Sequence, residues 1–177
     1  LGELFIRKTG TTYWITGLAG AGKSTIGKML YAHIKNEKEN VVMLDGDDIR
    51  AVFPNSDYTL EGRGYVTRQM GSLAKMLNEQ GMDCVCCIIG MIEECRRWNR
   101  ENIKNYIEVY IRVPMDALIK RDQKALYSRA LRGEITNVWG VDLKAEEPQN
   151  PDVIIDNDGT RGTDEIFAEL LSKLENI

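Results

Sequence analysis

Short apolar runs alternate with segments of helical periodicity along most of the chain. Apolar runs at 12–16, 41–45, 84–89, 106–113 and 152–155 read as buried strands. Helical spacing is read over 23–36, 66–79, 93–104, 115–121, 124–132 and 163–174. In the first of these helices Ile26, Leu30 and Ile34 share a face; in the last, Ile166, Leu170, Leu171 and Leu174 do. Gly81 is placed to stop the 66–79 helix, and Thr163 or Asp164 to cap the last one. Alternation of this kind predicts a mainly parallel sheet covered by helices on both faces, a three-layer α/β/α arrangement. The stretch 136–152 is polar, carries Pro148 and Pro151, and has no clear period. A connection of that length in a compact enzyme is commonly a lid or binding loop.

Chemistry enters with Gly17-Leu18-Ala19-Gly20-Ala21-Gly22-Lys23-Ser24-Thr25, between the first strand and the first helix. It satisfies every fixed position of the phosphate-binding pattern G-x-x-x-x-G-K-[ST]. Gly17, Gly20, Ala21 and Gly22 let backbone N–H groups curl round a phosphate. Lys23 reaches the β- and γ-phosphates of ATP, and Ser24 supplies a hydroxyl to Mg²⁺. Strand, loop and helix in that order set the phosphates at a helix N-terminus. A phosphate-loop NTPase fold follows.

A second cluster ends the second strand: Asp45-Gly46-Asp47-Asp48-Ile49-Arg50. Carboxyl ends of parallel strands line the ligand crevice. Asp45 and Asp47 are therefore candidates for holding Mg²⁺ or taking a proton from an acceptor hydroxyl, and Arg50 for neutralising an acceptor phosphate. A solvated turn with a helix-capping aspartate is the plainer alternative. The strand ending at Ile89-Gly90 offers no acidic residue, which throws more weight on Asp45 and Asp47. Basic residues gather at Arg121, Lys124, Arg129 and Arg132, with Arg63, Arg68, Arg96, Arg97 and Arg100 elsewhere. A few should close over a transferring phosphoryl group; each alone reads as surface.

Composition narrows the classes. The chain has 177 residues and a net charge of −4, which reads as a single domain and argues against a nucleic-acid or membrane-surface binder. No run of 18 apolar residues and no signal-peptide pattern occurs, so a cytoplasmic location is expected. Cys84 and Cys87 form a C-x-x-C, but they fall in an apolar strand that turns them to opposite faces, so buried, reduced thiols are expected. The single histidine, His33, lies on the first helix and removes histidine triads and the usual zinc sites.

With these residues in place, the chain resembles the adenylylsulfate kinases over nearly its whole length. The loop at 17–25 is similar to theirs. So are Leu44–Arg50 (L-D-G-D-x-[VI]-R), Ile107–Pro114, Arg121–Tyr127 (R-D-P-K-G-L-Y), Gly140–Asp142 and the stretch from Glu146 to Asp152. The resemblance implies ATP and Mg²⁺, transfer to a nucleotide 3′-hydroxyl, and a homodimer. By the same resemblance Asp47 faces the acceptor hydroxyl, and Arg50, Arg63 and Lys124 meet the acceptor phosphates. The 124–147 segment forms the lid, with Asp142 in it, and Arg121 serves the donor nucleotide. Departures fall on the acceptor side: Gly62-Arg63-Gly64-Tyr65-Val66 stands for D-R-x-E-N, and Met91-Ile92-Glu93-Glu94-Cys95-Arg96 for F-I-S-P-Y-R. Met91 and Val138, with Trp139 beside it, are read at the positions of two phenylalanines that sandwich the acceptor adenine. That change predicts a different acceptor, as in the related cytidine diphosphoramidate kinases of capsule phosphoramidate synthesis; adenylyl sulfate, or the acceptor of another small-metabolite kinase, is the alternative.

Overall fold

The computed structural model describes residues 8–177. Five strands form one parallel sheet: β1 (Thr12–Thr16), β2 (Val41–Asp45), β3 (Asp83–Cys87), β4 (Tyr106–Arg112) and β5 (Val153–Asp156). Their order is β2-β3-β1-β4-β5, with β1 central. β1 pairs with β3 from Thr12↔Cys84 and with β4 from Thr12↔Tyr106, in regular parallel register.

The sheet is apolar on both sides because both sides are covered. Ile15, Val85, Cys87, Val109 and Ile111 face one layer. That layer includes α1 (Lys23–Glu37) and α7 (Thr163–Leu174), whose Ile26, Leu30, Ile166 and Leu170 are buried. Trp14, Cys84 and Cys86 face the other layer, where α3 (Leu60–Glu79) buries Val66, Met70 and Ala74. Cys84 and Cys87 do point to opposite faces, and burial pushes both thiols up to about 12, which keeps them protonated and unreactive as they stand. His33 is exposed, beside Glu37.

The remaining helices are α2 (Gly46–Val52), α4 (Glu93–Asn102), α5 (Met115–Arg121) and α6 (Leu126–Leu131). Three points differ from the sequence reading. The segment after Asp45 is a helix rather than an open turn: Asp45 caps it by accepting the Asp47 N–H at 3.0 Å. α3 begins six residues early, at Leu60, under a Thr59 cap. The cap of α7 is Gly162, whose N–H donates to Glu165 at 2.9 Å, rather than Thr163 or Asp164. Gly81, at φ +87°, does follow α3 as expected.

Between Leu131 and Val153 the chain forms no regular element except a bridge pairing Trp139 with Leu143. Hydrogen bonds within the 124–147 region and from it to the body hold it in place. The Tyr127 hydroxyl donates to Ala19 O at 2.8 Å. The Asp142 carboxylate accepts the N–H groups of Asn137 and Val138, both at 2.6 Å. Glu146 N–H donates to Met91 O at 3.1 Å, and the Glu146 carboxylate accepts Glu93 N–H at 2.7 Å. Arg96, read from sequence as a surface cation, is buried. It donates to Gly90 O and Glu146 O, both at 2.7 Å, and lies 3.1 Å from Glu108 as an ion pair off the hydrogen-bonding direction. This buried guanidinium ties α4, β4 and the end of the 124–147 segment together. Among the described residues no helix is long and apolar enough to cross a membrane.

Candidate active site

Two chain segments at the carboxyl end of the sheet build the floor of one cleft of about 290 Å³. The first is the phosphate loop. Gly22 sits at φ +98°, left-handed backbone that L side chains avoid, and serves as the N-cap of α1. Behind the loop, Lys23 Nζ donates to Leu18 O at 2.8 Å. The second is the β2–α2 junction. Ser24 Oγ donates to Asp45 Oδ2 at 2.6 Å, which joins the two segments. Asp47, in the first turn of α2, is exposed at the cleft, and its carboxylate has no hydrogen-bond partner among the described residues.

Ser24 and Asp45 offer only oxygen donors, the set a hard divalent cation takes, and no cluster of three or more His, Cys, Asp or Glu side chains competes among the described residues. Mg²⁺ held by one or two such groups and by nucleotide phosphates fits this arrangement.

Desolvation lowers the Lys23 ammonium to about 8, against the opposing pull of Cys87, Asp45 and Asp47. Bound phosphates favour the charged form and raise that value again. Nucleotide binding should therefore take up a proton near and above pH 8, and affinity should fall as pH rises through that value. Calorimetry of ADP binding at pH 8.5 in buffers of differing ionisation heat should show uptake of more than about half a proton. Lys23→Met should abolish it, and no uptake in the parent protein would refute the linkage.

Away from the phosphate loop the cleft is lined by Arg50, Arg63, Tyr58, Thr67, Met91 and Trp139. Arg50 stacks over the Tyr58 ring at 4.4 Å. Arg63 lies 5.4 Å from Tyr58 and 5.6 Å from Trp139. Arg63 also donates to Tyr58 O at 2.9 Å and Asn137 O at 2.6 Å, while Arg50 donates to Asn55 O at 3.1 Å. Neither guanidinium has a carboxylate within ion-pair distance among the described residues. Burial, then the neighbouring Arg50 charge, lowers the pKa of Arg63. Two close cations without anionic partners are suited to an anionic ligand.

Most site residues read from sequence come together here. Gly20, Lys23, Ser24, Asp45, Asp47, Arg50, Arg63, Met91, Lys124 and Trp139 line the main cleft. Gly20, Gly22, Lys23, Ser24, Thr25 and Arg121 line an adjoining pocket beside the phosphate loop. Gly17 and Ala21 form the loop behind them; Ala21 is buried. Two residues fall elsewhere. Val138 is buried in the core beneath the surface and does not line the cleft; its neighbour Trp139 does. Asp142 holds the 137–138 turn rather than facing ligand. Of the two positions read as replacing lost rings, Met91 lines the cleft and Val138 does not; Tyr58 and Trp139 give the cleft two aromatic residues. Of the wider basic set, Arg129 and Arg132 pair with Glu134 outside the cleft, and Arg100 pairs with Glu108 and Asp152. Sequence reasoning missed Tyr58, Thr67 and Gln123. Tyr58 lies in an aperiodic stretch with no local signal. Gln123 adjoins Lys124 in the matched Arg121–Tyr127 motif, which was a usable signal.

Comparison with known proteins points to one family. The family model described as adenylylsulphate kinase matches residues 9–156. A relative named cytidine diphosphoramidate kinase, from Campylobacter jejuni, is 41% identical over 161 residues, covering 91% of this chain and 94% of that protein. A probable adenylyl-sulfate kinase from Archaeoglobus fulgidus is 38% identical, covering 82% and 94%. The solved Mycobacterium tuberculosis APS kinase CysC, in complex with AMPPNP and APS, superposes with a TM-score of 0.85 at 29% identity, covering 94% of this chain and 98% of that one.

Proposed function

The chain belongs to the adenylylsulphate kinase family and is a phosphotransferase acting on a nucleotide 3′-hydroxyl; from that premise we propose that its preferred acceptor is cytidine diphosphoramidate. ATP is the donor; Ser24 and Asp45 would hold Mg²⁺, which would shield the phosphate charges. The carrying observation is the meeting of the phosphate loop, Asp47 and two carboxylate-free arginines in one cleft.

In this reading Lys23 and the loop amides hold the β- and γ-phosphates. Asp47 orients the acceptor hydroxyl and takes its proton as the new O–P bond forms. The bond between the γ-phosphorus and the bridging oxygen breaks, and ADP leaves with that oxygen. Lys124, from the 124–147 lid, and Arg121 add positive charge on either side. Catalysis is then mainly positioning and charge stabilisation.

Aromatic walls at Tyr58 and Trp139 suit a purine as well as a pyrimidine, so they do not choose between acceptors. The 41% identity to the relative of that name favours the cytidine compound; the paired Arg50 and Arg63 suit the adjacent anionic groups of either acceptor. On this reading the chain would serve capsule phosphoramidate synthesis, acting in the cytoplasm as a homodimer of single-domain subunits. Adenylyl sulfate, the acceptor named by the family, is the second reading. ADP release at matched low acceptor concentrations decides it. The expected kcat/KM for the cytidine compound is at least about tenfold higher, a gap of about 1.4 kcal/mol. The reverse order would assign the chain to sulfate activation.

A further inference from the structure

The phosphate-loop motif accounts for the inner surface of the loop and says nothing about what holds its outer side. Here the outer side is gripped by a residue just past the last strand. β5 ends at Asp156, and Asn157 extends the pairing by donating its N–H to Arg112 O at 2.9 Å. Its side chain then leaves the sheet. Asn157 Nδ2 donates to Ala21 O at 2.9 Å. Asn157 Oδ1 and O accept from Arg121 Nη2 at 3.2 and 2.7 Å, and Arg121 Nη1 donates to Gly20 O at 3.1 Å. One amide and one guanidinium thus hold two successive loop carbonyls from outside.

A peptide unit is planar, so a carbonyl drawn outward turns the next residue's N–H the opposite way. Ala21 O is drawn to Asn157, which turns the Gly22 N–H toward the phosphate space. Gly22 completes the fit: a Cβ there would stand 3.1 Å from Asn157 Nδ2.

We propose that Asn157 is a positioning residue for the donor phosphates, acting through the Ala21–Gly22 peptide without touching the nucleotide. The inference rests on the loop being the ATP site and is independent of which acceptor is used. It separates Asn157 from the acceptor machinery, which lies across the cleft.

The experiment compares the parent protein with Asn157→Ala and Asn157→Asp. Calorimetry measures Mg²⁺–ADP binding, and steady-state kinetics measure both substrates. Asn157→Asp keeps the shape and the Arg121 bond while removing the donor to Ala21 O. Both variants are expected to weaken ADP binding and raise the KM for ATP about tenfold. The acceptor KM should stay within about twofold, and kcat at saturating ATP within about threefold. A residue that only supports the fold would lower Tm in both variants and leave the ratio of the two KM values unchanged. ADP binding by Asn157→Asp within twofold of the parent overturns the inference, as does an equal rise in both KM values. Failure of the parent itself to bind ADP would overturn the reading of the loop, and this inference with it.

Discussion

Lys23→Ala is expected to lower kcat/KM for phosphoryl transfer by roughly 10³-fold, about 4 kcal/mol of transition-state stabilisation. The size follows from where the charge stands. Lys23 is the loop's only cation, half-buried on the cleft floor, and its ammonium is held at Leu18 O. In that partly dry setting a charge beside the transferring phosphoryl group counts for more than it would in water. The same setting predicts that the fold will not suffer. Desolvation already brings the ammonium down to about 8, so it is carried at a cost in the absence of nucleotide. Removing it should leave Tm unchanged or raise it. A variant with lost activity and a markedly lower Tm would indicate a structural residue instead. A variant retaining more than about a tenth of parental kcat/KM would remove Lys23 from the phosphate site.

The donor side was legible in the sequence because its chemistry is local. The loop, its strand and its helix are contiguous, and the spacing from Gly17 to Ser24 carries the geometry. Asp45 and Asp47 were legible because a strand end fixes where its next residues emerge. α2 was hidden for a physical reason. Gly46, Asp47 and Asp48 are turn formers, and a seven-residue helix has little stability of its own. It depends on the Asp45 cap and on burying Ile49. The start of α3 was hidden because Gly62 and Gly64 lower the helix propensity there. Packing explains Gly62: a Cβ there would come within 2.4 Å of Asp57 O. The acceptor side was least legible, since its parts come from distant segments. Tyr58, Arg63 and Trp139 meet only in the folded chain. Arg96 carried no local sign of burial, because Glu108 and Glu146 lie 12 and 50 residues beyond it. A one-residue ambiguity between Val138 and Trp139 was enough to exchange a core position for a cleft wall.

Asp47→Asn should lower kcat by roughly 10²-fold or more, the scale of a lost general base, with the acceptor KM within about threefold. The substitution keeps size and the ability to orient a hydroxyl; it removes the capacity to accept the proton. The geometry gives it little else to disturb. The Asp47 carboxylate bonds to no side chain among the described residues, and the backbone N–H that Asp45 caps is untouched by the change. Asp45 provides the contrast. Its carboxylate links Ser24 to the start of α2. Asp45→Asn should therefore disturb Mg²⁺ dependence and the placement of α2 together, shifting KM as well as kcat. The two variants separate proton transfer from the scaffolding of the site. If Asp47→Asn turned over at near-parental kcat while Asp45→Asn fell by a hundredfold, the base would be Asp45 and α2 would serve only to present it. If both retained activity, neither carboxylate would take the proton. Transfer would then depend on loop charge and in-line positioning alone, the regime in which a loose phosphoryl transition state makes the smallest demand on a base.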